Sequence, residues 1–255
     1  MELSKNKLGI FSSLSSLKMR RKHSLFIVEG EKAVFDSLAC FTPVAVIVRD
    51  DYQAEVPADM PLYHASEAEM RRISNLTTPS SIAAIFRIPD QDVDIDSLEI
   101  SGNELYLLLD GVQDPGNLGT ILRTCHWFGV RKIFASRDTA DLYNPKTVQA
   151  TMGSLGRVEV IYCNLADLIG RFPEMPVYGT LLEGKPIYSE SLSEGGFIVM
   201  GNEGKGISDE IRELITLPLN IPPANLEHGE SLNVAIATAV TLSQFRARSF
   251  NGSAR

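Results

Sequence analysis

The sequence predicts an α/β protein in which a small α/β domain precedes a larger domain built on a parallel sheet. Short apolar runs alternate with segments of helical spacing along most of the chain. After residue 103 these runs are almost continuously apolar, as is typical of strands that helices cover on both faces of a parallel sheet. The acidic segment Pro89–Asn103, poor in bulky residues, reads as a linker. We therefore predict domains at residues 1–95 and 103–255.

Composition excludes several classes of protein. A chain of 255 residues, 44% hydrophobic and 22% charged, can bury a core without disulfides or metal. Its three cysteines, Cys40, Cys125 and Cys163, are odd in number and form no C-x-x-C pair, which excludes a disulfide scaffold and indicates a reducing compartment. No apolar run approaches the roughly 18 residues of a membrane span. We expect a cytoplasmic protein that neither binds a structural metal nor enters a membrane.

The N-terminal domain is predicted to contain three strands and two helices. The strands are Ser24–Glu29, Pro43–Arg49 and Ser81–Ile88, and the helices are Gly30–Cys40 and Ser66–Leu76.

The C-terminal domain is predicted to contain six strands and four helices. The strands are Leu105–Val112, Lys132–Ala135, Val158–Tyr162, Val177–Leu182, Phe197–Met200 and Ile215–Ile221. The helices are Asn117–Phe128, Leu165–Phe172, Ser208–Leu214 and Ser231–Arg248.

Charge is distributed unevenly along this acidic chain, whose net charge is −8. No acidic residue occurs between Leu3 and Val28, whereas Lys18, Arg20, Arg21 and Lys22 are crowded together. Because salt screens charges beyond about 8–10 Å, such a local patch can bind phosphates on an acidic protein. A solvated helix face explains the same pattern, and charge alone does not separate the two interpretations.

The first motif, Asn117-x-Gly119-x-x-x-Arg123, follows the strand Leu105–Val112. The N-terminus of a helix favours an anion, and Arg123 can present a bidentate fork to a phosphate. The alternative is an ordinary helix that Asn117 caps, with one exposed arginine.

The second motif is the glycine-rich turn Gly201–Gly206, which contains the carboxylate of Glu203. It is not a Walker A loop, because Lys205 is followed by Gly206 rather than by Ser or Thr. The chain also lacks G-x-G-x-x-G after its first strand, which argues against a dinucleotide site. The alternative is a simple strand-to-helix turn.

The third motif joins Ile221-Pro222-Pro223 to Ser231-Leu232-Asn233. The prolines stop a strand, and Ser231 or Glu230 is predicted to begin the next helix, so a well-capped helix is the alternative interpretation. All three motifs follow strand ends. Since the carboxyl ends of parallel strands meet at one edge of a sheet, we expect the motifs to share one cleft.

Taken together and in this order, the three motifs resemble the SpoU (TrmH-type) family of RNA ribose 2′-O-methyltransferases, within the SPOUT superfamily. The resemblance covers residues 103–248. Residues 3–95, with Leu17, Arg21 and the FIVEG run of Phe26–Gly30, resemble the RNA-binding domain of that family, which is related to small ribosomal proteins.

The resemblance implies a SPOUT fold, in which a parallel sheet ends in a deep trefoil knot that binds S-adenosyl-L-methionine. It further implies a homodimer and an RNA substrate, either rRNA or tRNA. By position, Gly201, Ile221 and Leu232 match the cofactor-binding residues, Arg123 matches the catalytic arginine, and Asn117, Glu203, Ser231 and Asn233 match supporting polar residues. Pro223 and Ala235 depart from the family pattern, and the loop between Ile221 and Ser231 is about two residues longer, which bears on the shape of the pocket.

The chemistry requires an aligned ribose oxygen that loses its proton. Arginine is a poor base because its guanidinium stays protonated in proteins, so we expect Arg123 to hold the neighbouring phosphate and stabilise the developing alkoxide, with that phosphate as the candidate proton acceptor. The alternative is an RNA-binding factor that keeps the fold without catalysis; the joint presence of Arg123, Asn117, Glu203 and Asn233 argues against it.

The helix Ser231–Arg248 supports the homodimer on physical grounds. Apolar or small residues occupy nearly every side of it, and one sheet can cover only one side. We expect this helix and the helix Asn117–Phe128 to form a two-fold interface, with Arg123 near the boundary between subunits.

Overall fold

The computed structural model describes residues 1–53, 55–57, 60–90, 95–224 and 231–252, without the side chains of Asp96 and residues 248–252. The chain divides into two compact units. The first comprises Met1–Asp90 and Asp141–Arg157, and the second comprises Gln91–Ala140 and Val158–Arg255. Of the predicted linker, residues 91–94 lie outside the described residues, and Ile95–Ser97 form a short 3₁₀ helix. None of the helices within the described ranges is long and apolar enough to span a bilayer.

A mixed four-stranded sheet forms the centre of the first unit. The elements of this unit are α1 Lys5–Ser12, α2 Leu17–His23, β1 Leu25–Glu29, α3 Glu31–Leu38, β2 Pro43–Arg49, β3 Leu62–Ala65, α4 Glu67–Ile73, β4 Ile82–Arg87 and α6 Pro145–Ala150. The strand order is β1-β4-β2-β3; β2 and β3 are parallel, and the other pairs are antiparallel. The predicted strands and helices are all present, and the structure adds two N-terminal helices, one short strand and one helix from the second segment.

The second segment of this unit completes an aromatic cluster on one face of the sheet. Alternation along β1 directs Ile27 to the core under α1 and α4, and Phe26 to the opposite face. There the Phe26 ring lies 5.6 Å from that of Phe86, 5.1 Å from that of Phe41 and 4.6 Å from that of Tyr143. The sequence assigned residues 141–157 to the domain 103–255, whereas Tyr143 packs in the core of the first unit.

Arg20 is a structural residue, so it does not belong to the basic patch that the sequence indicates at Lys18, Arg20, Arg21 and Lys22. Its side chain is only 2% exposed, and its guanidinium donates to Asp141 at 2.6 and 3.0 Å and to the carbonyls of Leu14 and Ser15 at 2.8 Å. A buried charge needs such partners because its hydration is lost. Arg20 is therefore unavailable to RNA, whereas Lys18, Arg21 and Lys22 on the same helix are exposed.

The second unit contains the predicted parallel sheet. The strands are β5 Leu105–Asp110, β6 Lys132–Ala135, β7 Glu159–Tyr162, β8 Val177–Pro186, β9 Gly196–Gly201 and β10 Leu217–Asn220. They have the order β10-β8-β9-β5-β6-β7, and every neighbouring pair is parallel. The helices are α5 Pro115–Trp127, α7 Leu165–Arg171, α8 Asp209–Arg212 and α9 Val234–Gly252.

The order of the strands determines where a ligand can enter. From β5 the chain adds β6 and β7 on one side, and β9, β8 and β10 lie on the other side. The connections therefore diverge from β5 and β9, and parallel α/β sheets bind ligands beyond the carboxyl ends of strands at such a switch point.

The pairing of β8 with β10 is interrupted between Pro218 and Leu219. Pro218 pairs with Gly179, but the next residue, Leu219, pairs with Lys185, so residues 180–184 are left out of the strand pairing and form an arch. The Asn220 side chain holds this arch by donating to the carbonyls of residues 181 and 182, at 3.2 and 2.8 Å. A Cβ on Gly184 would lie 2.3 Å from the carbonyl carbon of Leu219, so the closeness of the two strands requires glycine there.

The ion pair of Arg20 gives a test of the first unit. Asp141→Asn leaves the buried guanidinium without its counter-charge, and we expect a loss of about 2–3 kcal/mol in the free energy of unfolding. The matched control is Glu67→Gln, which breaks the exposed pair with Arg71 and is expected to cost less than about 1 kcal/mol. Urea denaturation followed by circular dichroism measures both changes. Equal effects of the two substitutions would contradict the structural role of Arg20.

Candidate active site

The carboxyl ends of β5 and β9 are tied together at the switch point. The Asp110 carboxylate, at the end of β5, accepts the backbone N–H of Ser208 at 2.7 Å. The Asn202 side chain, directly after β9, donates to the carbonyl of Gly111 at 2.7 Å. These two bonds bring the first and second motifs to one edge of the sheet, as the sequence predicts.

Helix α5 begins in a way that leaves Asn117 available. Asp114 caps the helix by accepting the N–H of Asn117 at 2.9 Å, and Pro115 occupies the first helical position. The interpretation of Asn117 as the cap is therefore wrong. Because Asp114 accepts the backbone N–H, the Asn117 side chain in the first turn can bond elsewhere.

Asn117 joins all three motifs through its side chain. Its Nδ2 donates to Oε1 of Glu203 at 2.8 Å, and its Oδ1 accepts from Nδ2 of Asn233 at 3.0 Å. One amide thus uses its donor toward the second motif and its acceptor toward the third. We refer to Asn117, Glu203 and Asn233 as the polar triad.

Asn233 also fixes the start of α9. Its Oδ1 accepts the N–H groups of Ala235 at 2.9 Å and of Ile236 at 3.3 Å, so Asn233 acts as the cap. The sequence placed the start of this helix at Ser231 or Glu230. The helix begins instead at Val234, and Glu230 lies outside the described residues. Because capping occupies Oδ1, Nδ2 is the group that faces Asn117.

The glycine-rich turn holds Glu203 in place. The backbones of Asn202 and Gly206 exchange two hydrogen bonds of 2.9 Å, and Oδ1 of Asn202 accepts the N–H groups of Gly204 and Lys205 at 2.9 and 3.0 Å. A Cβ on Gly201 would lie 2.4 Å from the carbonyl carbon of Gly206. The turn therefore closes against its own strand, and a side chain at residue 201 would prevent this.

A cleft of about 400 Å³ lies beside the turn, within the usual range for small-molecule sites. All three predicted cofactor-binding residues, Gly201, Ile221 and Leu232, line it, and so do Glu203 and Ser231. Among the described residues, Asn117, Asn233 and Arg123 are not part of the lining. The remaining apolar lining comes from Leu181, Leu182, Met200, Ile207, Leu219, Val234 and Ala237.

The sequence patterns did not indicate that the arch at residues 180–184 belongs to the site. Thr180, Leu181, Leu182 and Glu183 all line the cleft. Glu183 forms an ion pair with Arg212 at 3.1 Å. The available signal was a pair of glycines, Gly179 inside the predicted strand Val177–Leu182 and Gly184 just after it.

The two residues that depart from the family pattern, Pro223 and Ala235, differ in burial. Pro223 is exposed, whereas Ala235 is 3% exposed and packs in the first turn of α9. A small residue suits this buried position. Residues 225–230, which make up most of the longer loop, lie outside the described residues.

Arg123 lies on the outer face of α5. It is exposed, and it forms no hydrogen bond or salt bridge with any residue that the structure describes. Trp127, one turn later on the same face, is 83% exposed. The guanidinium is thus available to a partner from outside this chain.

The cysteines of this unit are not suited to nucleophilic chemistry. Burial raises the pKa of the Cys125 thiol far above its usual range, and burial together with the charge of Asp167 raises the pKa of Cys163 to about 11. At neutral pH both therefore remain thiols rather than thiolates. No group of three or more His, Cys, Asp or Glu residues among the described positions is arranged to hold a metal ion.

Two family models match the chain. The SpoU rRNA Methylase family matches residues 104–243, which include all three motifs. The MRM3-like substrate binding domain matches residues 6–84.

Individual relatives extend the match over the whole chain. The 23S rRNA guanosine 2′-O-methyltransferase RlmP of Bacillus subtilis is 32% identical over 254 residues, covering 96% of this chain and 98% of RlmP. A TrmH-family structure from Porphyromonas gingivalis is 39% identical with a TM-score of 0.85, covering 97% of this chain and all of that one. The AdoMet-bound rRNA methyltransferase of Sinorhizobium meliloti is 26% identical with a TM-score of 0.83, covering 97% of each chain. With its motifs joined at one cleft and its family model matched over more than half its length, the chain belongs to the SpoU rRNA methylase family.

Proposed function

We propose that this protein transfers a methyl group from S-adenosyl-L-methionine to a ribose 2′-hydroxyl of 23S rRNA. The observation that carries this proposal is the polar triad, which joins three distant motifs beside a cleft of about 400 Å³. RlmP, which matches this chain over almost its full length, is a 23S rRNA 2′-O-methyltransferase, and this similarity supports the same substrate class here.

The residues of the cleft fit the cofactor. Its apolar side chains suit an adenine ring and a methionine side chain, and three glycines of the turn, Gly201, Gly204 and Gly206, bring backbone to its lining. Gly201, Ile221 and Leu232 would hold S-adenosyl-L-methionine, which supplies an electrophilic methyl group when bound. We further propose that the arch, the glycine-rich turn and the described residues of the third motif belong to a deep trefoil knot of the SPOUT type.

Arg123 is the proposed catalytic residue. Its exposed guanidinium binds the phosphate next to the target ribose and stabilises the oxygen as it becomes negative. The bound phosphate would accept the proton that the ribose oxygen loses. S-adenosyl-L-methionine would supply the methyl group by cleavage of its S–CH3 bond and would leave as S-adenosyl-L-homocysteine. Arg123 does not itself remove the proton, because a guanidinium stays protonated in proteins and has no acceptor atom.

The polar triad and Ser231 align the ribose. Glu203 accepts from Asn117, which fixes the Asn117 amide and, through it, Asn233. Ser231 lines the cleft two residues before Asn233 and offers a hydroxyl to the sugar. Alignment of this kind can supply on the order of 7–11 kcal/mol of the barrier reduction.

The first unit is the proposed RNA-binding domain. Its match to a substrate-binding family and the exposed cations Lys18, Arg21 and Lys22 on α2 support this role. Arg20 is excluded from the proposed surface because Asp141 holds it in the core. An rRNA substrate also supports a cytoplasmic location, where ribosomes are assembled.

A homodimer formed through α5 and α9 completes the proposal. These helices pack on each other, and their outer faces carry two exposed apolar side chains, Trp127 (83% exposed) and Ile236 (54%). Large apolar groups exposed on adjoining helices are typical of an interface. Such a dimer places Arg123, which does not line the cleft of its own chain, at the boundary between subunits.

Methyl transfer by the wild type and by variants of Arg123 gives the main test of this function. The wild-type protein should transfer label from S-adenosyl-L-methionine to a ribose of unmodified 23S rRNA transcript, and the site is read by mass spectrometry of nuclease fragments. Arg123→Ala should lower kcat by at least about 100-fold and leave cofactor affinity within a few-fold. Arg123→Lys should recover little, because an ammonium cannot form the bidentate fork.

Arg131→Ala is the matched control, because it removes an exposed arginine close after α5. Near-normal turnover by Arg123→Lys would contradict the positioning role. A folded wild-type protein that binds rRNA and cofactor but labels no ribose would favour the alternative of a non-catalytic RNA-binding factor.

Trp127 is the single tryptophan of the chain and reports directly on the proposed dimer. We expect sedimentation of the wild type as a dimer at micromolar concentration, and a red shift of its fluorescence when dilution separates the subunits and exposes the indole. Ile236→Asp should shift the protein to monomer, whereas Tyr188→Asp, at a similarly exposed apolar position, should not. A fully active wild-type monomer would refute this arrangement.

A further inference from the structure

A second cavity, of about 600 Å³, lies entirely within the first unit. Its lining comes from two stretches of that unit, residues 15–76 and residues 144–152 of the second segment. Residues 15–76 lie in the part of the chain that matches the substrate-binding family model, and residues 144–152 lie in the part that matches the methylase family model. We call this cavity the N-terminal groove.

The N-terminal groove combines an apolar floor with amide side chains. Ile27 and Val148 are buried beneath it, and Ala33 and Leu76 are half-buried along its sides. Three amide side chains stand among these residues: Asn75, Asn144 and Gln149. Such a surface suits a flat group that has apolar faces and a polar edge.

Local hydrogen bonds orient two of these amides. The Glu29 carboxylate accepts from the Asn75 backbone N–H at 2.8 Å and from its Nδ2 at 3.4 Å, and also from the Ser74 hydroxyl. Oδ1 of Asn144 accepts the N–H of Lys146 at 2.9 Å. Asn75 is therefore left with Oδ1 as an acceptor and Asn144 with Nδ2 as a donor, and neither atom has a partner among the described residues.

Met152 stands at the rim in a conformation that is uncommon for its residue type. Its φ is +51°, in the left-handed region, and its side chain is 57% exposed although it is large and apolar. Backbone strain of this kind is concentrated at functional sites. The thioether is polarizable and makes favourable contacts with aromatic rings.

The charges around the N-terminal groove balance. Glu29 and Glu31 line it together with Lys32 and Lys146, so the groove offers no net positive charge to a phosphate. A neutral group is therefore the better ligand. Cations lie nearby in the sequence, because Ser15 at the groove precedes α2, which carries exposed Lys18 and Lys22.

From this geometry we propose that the N-terminal groove receives one unpaired nucleobase of the RNA substrate. The base lies on the apolar floor with Met152 against one face, and its polar edge pairs with the amides of Asn75, Asn144 and Gln149. RNA-binding proteins commonly read sequence from such splayed bases. The inference rests on the proposed function for the identity of its ligand, and it makes residues 144–152 part of substrate recognition.

The test uses the full chain and a double variant, Gln149→Ala with Met152→Asn. Asparagine tolerates the left-handed backbone of residue 152, so the fold is expected to persist. With unmodified 23S rRNA transcript as the probe, the dissociation constant should rise by about tenfold, the scale of one lost base contact. The slope of log affinity against log salt should remain unchanged, because no phosphate contact is lost.

Two control variants separate base contacts from charge contacts. Gln53→Ala removes an exposed amide of the same unit outside the groove and should leave RNA affinity unchanged. Lys18→Glu with Lys22→Glu should weaken binding and lower the salt slope by about 1–2. Cofactor affinity, measured by calorimetry, should be the same in every variant.

Photocross-linking gives a readout that does not depend on catalysis. Transcript containing 4-thiouridine should cross-link to peptides spanning residues 75–76 or 144–152. Wild-type affinity in the double variant, or cross-links confined to other peptides, would overturn the proposal. A protein that binds rRNA through this groove yet methylates no ribose would refute the proposed function and leave the groove supported.

Discussion

The side chain of Asn117 makes the contacts on which the proposed active site depends. It is a single amide that donates to Glu203 and accepts from Asn233, and it therefore joins stretches that begin after three different strands. Asp114 makes this possible by capping α5, and Asn233 contributes by capping α9 with one atom while it donates to Asn117 with another. A neutral amide suits this position because it supplies a donor and an acceptor at once.

Close approach of backbones gives the cleft its shape. Gly201 packs against the backbone of Gly206, and Gly184 packs against Leu219, so the turn and the arch both lie where side chains would collide. The arch exists because the pairing of β8 with β10 skips residues 180–184. The proposed cofactor site is thus built largely from backbone and apolar side chains. Of the polar groups proposed to act on the ribose, Glu203 and Ser231 line the cleft, whereas Asn117 and Asn233 bond to each other outside the lining.

Sequence patterns predicted the parallel sheet because strands buried on both faces produce continuous apolar runs. They also predicted one cleft for the three motifs, since the carboxyl ends of such strands share an edge. They did not predict the arch, because an apolar run such as Val177–Leu182 gives no sign of which partner each residue meets. The burial of Arg20 was equally hidden, because it depends on Asp141, which is 121 positions away. Asp and Asn are both common at the N-cap position, so the sequence alone did not distinguish Asp114 from Asn117 as the cap of α5.

A double-mutant cycle tests most directly whether the polar triad works as one unit in methyl transfer. Asn117→Ala removes both contacts of the central amide, and Asn233→Ser removes the amide donor while it keeps a capping oxygen for α9. The measured quantity is kcat/KM for labelling of 23S rRNA ribose in the wild type, the two single variants and the double variant. We predict that the double variant loses little more activity than Asn117→Ala alone, with a coupling energy of at least about 1 kcal/mol. Additive losses, with coupling below about 0.3 kcal/mol, would contradict the account.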